Sequence, residues 1–185
     1  MDMFEGVGRR AEQTSGSFLN IGQHSLNGFE RKLLFRNNGD GTFTDVAWVN
    51  GADRNEDGRG LSIFDADGDG RLDILIRNYR QPAQLLRNLG GTGHWLEVKL
   101  VGTRSNRDAV GARLNLRTTA DLQTREVHAG SAFESGQSLV QHFGLGPDTT
   151  ASLDVRWPSG LRTVVPELAA GRRWTIVEGV DPPVR

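Results

Sequence analysis

The sequence predicts an all-β protein: one propeller-blade-like antiparallel sheet, followed by an antiparallel β-sandwich or barrel. Three observations point there. Apolar and polar residues alternate strictly in several short segments, as half-buried strands require. Glycine is abundant, at 24 of 185 residues, which suits many turns between short strands. No segment shows a sustained 3.6-residue period, so no helix is expected anywhere.

Taken in order, residues 1–17 are polar and lack a period, and form a loose lead-in before order begins near Phe18. Strands follow near 33–36, 42–47, 60–65, 72–77 and 84–87. Asp40-Gly41 marks a hairpin turn between the first two. Leu34-Phe-Arg-Asn37-Asn-Gly39 echoes in Leu85-Leu-Arg-Asn88-Leu-Gly90 after 51 residues, a spacing of the size of a propeller blade. Beyond Gly90-Gly-Thr-Gly93 the pattern changes. Leu96, Val98 and Leu100 share one face of a strand, as do Val110, Ala112, Leu114 and Leu116; Leu153, Val155 and Trp157 repeat this, and Trp174, Ile176 and Glu178 close the series. The expected organisation is a lead-in (1–17), a blade-like repeat (18–90), a sandwich (91–180) able to fold alone, and a tail (181–185).

The chemistry concentrates in Asp65-Ala-Asp67-Gly-Asp69-Gly70-Arg71-Leu-Asp73. A hard divalent cation needs six to eight oxygens, and carboxylates at loop positions 1, 3, 5 and 9 supply them from successive bends. The Arg71 carbonyl falls at position 7, and Gly70 at position 6 permits the sharp turn. Position 12 is Ile76 instead of the bidentate Glu of an EF-hand, and the flanks read as strands, so a calcium loop joining two strands is predicted. The alternative is an Asx- and Gly-rich turn that binds nothing. Against it, four like charges repel by about 1 kcal/mol per pair even in bulk water. Asp53-Arg-Asn55-Glu-Asp57-Gly58 begins as a second cation loop but has Leu61 at position 9, which leaves Asp53, Asn55 and Asp57 as a weaker metal candidate. Asn38, Asp40 and Thr42 alternate too and read as a hairpin tip.

Composition excludes several classes. A net charge of −1 with dispersed basic residues argues against a nucleic-acid partner. With no cysteine, disulfides and thiol catalysis are impossible. No apolar stretch reaches the length of a membrane span, so membrane insertion is not expected. The N-terminus lacks a signal peptide, which implies an internal protein, or a mature form or fragment. His24, His94, His128 and His142 are scattered without metal-site spacing, and His94 and His142 read as packing or hydrogen-bonding residues. Gly6-Val-Gly8 matches a dinucleotide fingerprint in letters alone, without its strand and helix. Ser159, between Pro158 and Gly160, is a turn residue, and no pair of acids is singled out for hydrolysis.

Two families are resembled. Asn38-Gly-Asp-Gly-Thr-Phe43, Gly58-Arg-Gly60 and the Asp65–Asp73 loop are similar to the FG-GAP/VCBS repeat, a calcium-binding blade. Arg104-Ser-Asn-Arg-Asp-Ala-Val-Gly-Ala112, Arg125-Glu-Val-His-Ala-Gly130, His142-Phe-Gly-Leu-Gly146, Val155-Arg-Trp-Pro-Ser-Gly160 and the closing Glu178 resemble the ASPIC/UnbV domain. The resemblance implies bound Ca2+, an extracellular, cell-surface or periplasmic location, and a non-enzymatic role in adhesion or matrix, with other surface proteins or glycans as partners. The alternative it leaves is an accessory protein or enzyme of a biosynthetic pathway, acting through the ASPIC/UnbV segment. A lone blade leaves Leu61, Ile63, Ile74 and Ile76 and its strand edges in want of cover, so self-association into a homo-oligomer or filament is also expected.

Overall fold

The computed structural model describes residues 30–131, 133 and 135–180. The expected lead-in and tail lie outside the described residues. Among the described residues there is no helix, and the strands form separate sheets, none closed into a barrel. The chain divides into two compact units, Met1–Asp57 and Gly58–Arg185.

In the first unit, β1 (Phe35–Asn37) pairs antiparallel with β2 (Phe43–Asp45). The connection turns on Gly39 and Gly41, both at positive φ (83° and 87°), where a Cβ would be strained. Asp40 Oδ1 accepts from the Thr42 N–H at 2.9 Å and from its hydroxyl at 2.6 Å. These bonds hold its carboxyl below the usual range, with the hydroxyl the larger cause. The alternating Asn38, Asp40 and Thr42 are thus joined to one another as a hairpin tip.

The second unit opens with β3 (Gly58–Phe64), β4 (Asp73–Asn78) and β5 (Gln84–Leu86) in an antiparallel sheet ordered β3-β4-β5. The five strands expected of the repeat therefore form, divided between a hairpin and a three-stranded sheet. The outer edge of β3 is not open. Leu61 N–H donates to Ser135 Oγ, Ile63 N–H donates to Gln137 Oε1, and Gln137 Nε2 donates back to Leu61 O at 2.9 Å. The Gln137 amide thus substitutes for a peptide unit of a neighbouring strand, which blunts the edge against pairing with another chain.

The sandwich is built from β6 (His94–Val101), β7 (Arg113–Arg117), β8 (Leu122–Glu126), β9 (Gln141–Gly146), β10 (Thr150–Arg156), β11 (Arg162–Ala169) and β12 (Arg172–Val177). One sheet is ordered β11-β10-β7-β8, the other β12-β6-β9. Leu96 and Val98 of one sheet and Leu114, Leu116, Leu153 and Val155 of the other are buried in the common core, as their alternation requires. Among the described strands, β12 and β6 are the one pair that runs parallel. The cause is a change of sheet: after β11 the chain bends at Gly171, whose N–H donates to Trp95 O at 2.7 Å, and starts β12 beside β6.

Candidate metal centre

The acidic loop joins β3 to β4. Its shape is set by carboxylates that accept backbone N–H groups, with Gly68 and Gly70 at positive φ (78° and 86°) where the chain doubles back. Asp65 Oδ1 accepts from Gly68 N at 2.8 Å and Oδ2 from Gly70 N at 2.8 Å. Asp73 sits at the base, 2% exposed, and accepts from Asn88 N at 2.8 Å and Ala66 N at 3.0 Å. The Asn88 bond, opposed by burial and helped by Ala66, keeps the Asp73 carboxyl below its ordinary value.

Three of the four predicted side-chain ligands converge. Carboxylate oxygens of Asp65, Asp67 and Asp73 lie within 4.8 Å of one another, the one such group of acidic or imidazole side chains among the described residues. Asp69 is turned aside: its Oδ1 accepts from Arg71 N at 2.9 Å and its Oδ2 from the Arg71 guanidinium. Asp67 Oδ2 accepts from the Arg87 guanidinium. Arg71 Nε also donates to Asn88 O at 2.8 Å. Two guanidinium groups therefore lie where positive charge is demanded, and the donor set is oxygen alone, the preference of a hard cation. The residues present fit such an ion. At the weaker candidate, Asp53 pairs with Arg31 at 2.7 Å and Asp57 is buried.

Arg87 escaped the sequence reading, although it occupies the same place in the echoed segment as Arg36. So did the seat of the loop. His142 Nε2 donates to Gly70 O at 2.8 Å, and its ring stacks on Trp95 with centroids 6.0 Å apart. Trp95 lies so close over Gly70 that a Cβ there would fall 1.8 Å from the indole nitrogen. A cleft of about 530 Å³ adjoins the loop, bordered by Asp65 and Ile63 on one side and by Glu97, Arg125, His128 and Arg173 on the other.

Far along the chain is a second carboxylate, Glu178, 1% exposed. Its Oε2 accepts the backbone N–H groups of Thr103, Arg104 and Ser105 at 2.7–2.8 Å. Its Oε1 accepts the hydroxyls of Ser105, at 2.8 Å, and Ser159. Burial disfavours its charge, but the bonds from Ser159, Ser105 and Thr103 prevail and hold its pKa at about 2. Both oxygens are saturated, so Glu178 acts as an internal anchor that ties the 103–105 turn and the 159 turn to the end of β12. Ser159, read as a turn residue, is part of this anchor.

Comparison with known proteins finds two family matches in succession along the chain. The FG-GAP-like repeat family matches residues 25–76, which include the acidic loop. The ASPIC and UnbV family matches residues 102–183, which include Ser105, Ser159 and Glu178. Human cartilage acidic protein 1 is 34% identical over 130 residues, 68% of this chain and 19% of the relative. The Xenopus tropicalis protein of that name is 36% identical over 120 residues, 60% of this chain and 18% of the relative. The mouse protein is 36% identical over 108 residues, 56% and 17% respectively. The chain thus spans less than one fifth of the length of these relatives. From these matches and the geometry above, the chain carries an FG-GAP-like repeat followed by an ASPIC and UnbV segment.

Proposed function

We propose that this chain is a calcium-binding, non-enzymatic interaction module of an extracellular or surface protein. The observation that supports the reading most is the convergence of Asp65, Asp67 and Asp73 on one small volume, with Arg71 and Arg87 held against neighbouring acids. Asp65, Asp67 and Asp73 would hold the ion, joined by Asp69 on release from Arg71 and by the Arg71 backbone carbonyl. When bound, the ion supplies positive charge that relieves carboxylate repulsion and fixes the loop. The resemblance to FG-GAP repeats and to cartilage acidic protein 1 supports an extracellular setting. No helix of the described residues is long and apolar enough to cross a membrane.

Melting in 1 mM calcium and again in EGTA tests this reading. With a dissociation constant on the order of 10⁻⁴ M, an ordinary value for an extracellular module, mass action adds about 1.4 kcal/mol. That raises the midpoint by about 3–6 °C in a chain of this size. The double substitution Asp65→Ala/Asp67→Ala is expected to abolish the shift. Equal midpoints for the unsubstituted chain with and without calcium would refute the assignment.

Self-association remains the proposal for the apolar side chains left open on the repeat, Leu61 (41% exposed) and Ile63 (39%) among them. Because Ser135 and Gln137 occupy the β3 edge, the contact expected is side chain to side chain, without added strand pairing. Light scattering coupled to size exclusion at tens of micromolar is expected to give a dimer or larger species. A monomer would show that these side chains need no partner.

A further inference from the structure

The solvent face of the four-stranded sheet of the sandwich holds a second surface, away from the acidic loop. Its register sets Arg162 of β11 opposite Arg156 of β10, and Arg156 opposite Arg113 of β7. Directly opposed residues on antiparallel strands lie about 4.5–5.5 Å apart, so three guanidinium side chains cross the sheet in a single row. Arg117, two alternations along β7, adds a fourth to the same face. Like charges directly opposed across strands are unfavourable, and the compensation on this face is partial. Arg162 donates from Nε and Nη2 to the two carboxylate oxygens of Asp154, at 2.8 and 3.0 Å. Glu126, the register partner of Arg113, has its carboxylate 3.8 Å from His128 Nδ1. Arg113 and Arg117 are exposed and make no side-chain ion pair with a described residue, while Arg156, also exposed, shares the Asp154 carboxylate electrostatically with Arg162.

The same face is concave. A hollow of about 440 Å³ lies over it, lined by Arg113, Arg117, Arg162, Asn115, Thr124 and Ser152 among others. We infer that this hollow binds an anionic polysaccharide, with Arg113 and Arg117 gripping its sulfate or carboxylate groups, Arg156 adding charge from the register position beside Arg113, and Asn115, Thr124 and Ser152 meeting its hydroxyls. Guanidinium forks match both anions in bidentate geometry. An acidic peptide is favoured less, because β7 and β10 are interior strands whose backbone groups are already paired on both sides, leaving no ladder for an added strand. A nucleic acid is favoured less still, because no aromatic side chain lines the hollow to stack a base.

Heparin serves as the sulfated probe, hyaluronate as the probe with carboxylates alone, and polyglutamate as an anionic peptide, each titrated calorimetrically against the full chain. Heparin is expected to bind with an affinity that falls as salt rises. Arg113→Ala/Arg117→Ala should weaken it about tenfold or more, while Arg36→Ala, on the first unit, leaves it unchanged. Because these residues are exposed, the melting midpoint of the double variant should match that of the unsubstituted chain. Hyaluronate binding at the same site would assign recognition to carboxylates, and its absence would assign it to sulfates. Binding in EGTA should equal binding in calcium, so failure of the metal assignment leaves this result standing. Absence of heparin binding, an unchanged affinity in the double variant, or polyglutamate bound as tightly as heparin would overturn the inference.

Discussion

Replacing Glu178 by Ala lowers the melting midpoint by about 10 °C. The carboxylate, 1% exposed, receives three backbone N–H groups and two hydroxyls. Its removal leaves those donors buried without an acceptor, and breaking a buried charge-assisted cluster typically costs about 3–5 kcal/mol. For a chain of this length each kcal/mol moves the midpoint by about 2–4 °C. The pH dependence gives an independent check. Glu178 ionises at about 2 in the folded chain against its ordinary 4.5, so its contribution is fully present above pH 4.5 and is lost as pH falls toward 2. At about 1.4 kcal/mol per pKa unit, this contribution is roughly 3 kcal/mol. Asp73, whose carboxyl is also held low, acts in the same direction. Glu178→Gln separates charge from hydrogen bonding, since its carbonyl can take the three N–H bonds while its amide donates to the two serines. It should melt between the Ala variant and the unsubstituted chain, with a shallower loss of stability between pH 4.5 and 2. An Ala variant that melts like the unsubstituted chain would show that water satisfies the cluster.

What the sequence made legible follows from how each feature is encoded. Strands with one face buried and the other wet carry their register in the alternation itself. Leu96 and Val98, Leu114 and Leu116, and Leu153 and Val155 therefore all lie in the core as their spacing implied. Three strands were harder to see. β8 (Leu-Gln-Thr-Arg-Glu) is a largely exposed edge strand with no apolar face to declare it. β9 contains two glycines, which read as turns. β11 contains Pro166, which demotes a strand reading; the proline is tolerated because β11 lies at the sheet edge. The acidic loop was legible because its ligands are local, whereas its supports are not. Arg87 and Asn88, which follow β5, Trp95 of β6 and His142 of β9 reach the loop only through the fold. Glu178 was visible as a family landmark, but its role depends on turns 73 to 75 residues away in sequence. No local pattern could state that.

The second large effect is expected at Gly70, and it differs in kind from that at its neighbour Gly68. Both sit at positive φ, 78° for Gly68 and 86° for Gly70, so replacing either by Ala costs about 1–2 kcal/mol for the left-handed backbone. At Gly68 that is the whole cost, because nothing lies within 4 Å of the added carbon. At Gly70 the same carbon meets the Trp95 indole at 1.8–2.3 Å. The ring must leave, taking with it the stack on His142 and disturbing the bond from His142 Nε2 to Gly70 O. Overpacking of this kind adds about 1–3 kcal/mol, so Gly70→Ala should melt about 2–12 °C below Gly68→Ala. Trp95→Ala in the Gly70→Ala background tests the cause. If the clash is the reason, the second substitution recovers part of the loss, and the two changes are strongly non-additive. Additive losses would mean that Trp95 does not press on the loop. The same contacts bear on the excised segment 91–180, which would expose Trp95, His142 and Gln137 where β3 and the acidic loop now cover them. The excised segment should therefore melt below the whole chain, by an amount that Gly70→Ala in the whole chain already approaches. Equal melting of excised segment and whole chain would place the stability of the sandwich in its own core alone, with the loop resting on it as a passive attachment.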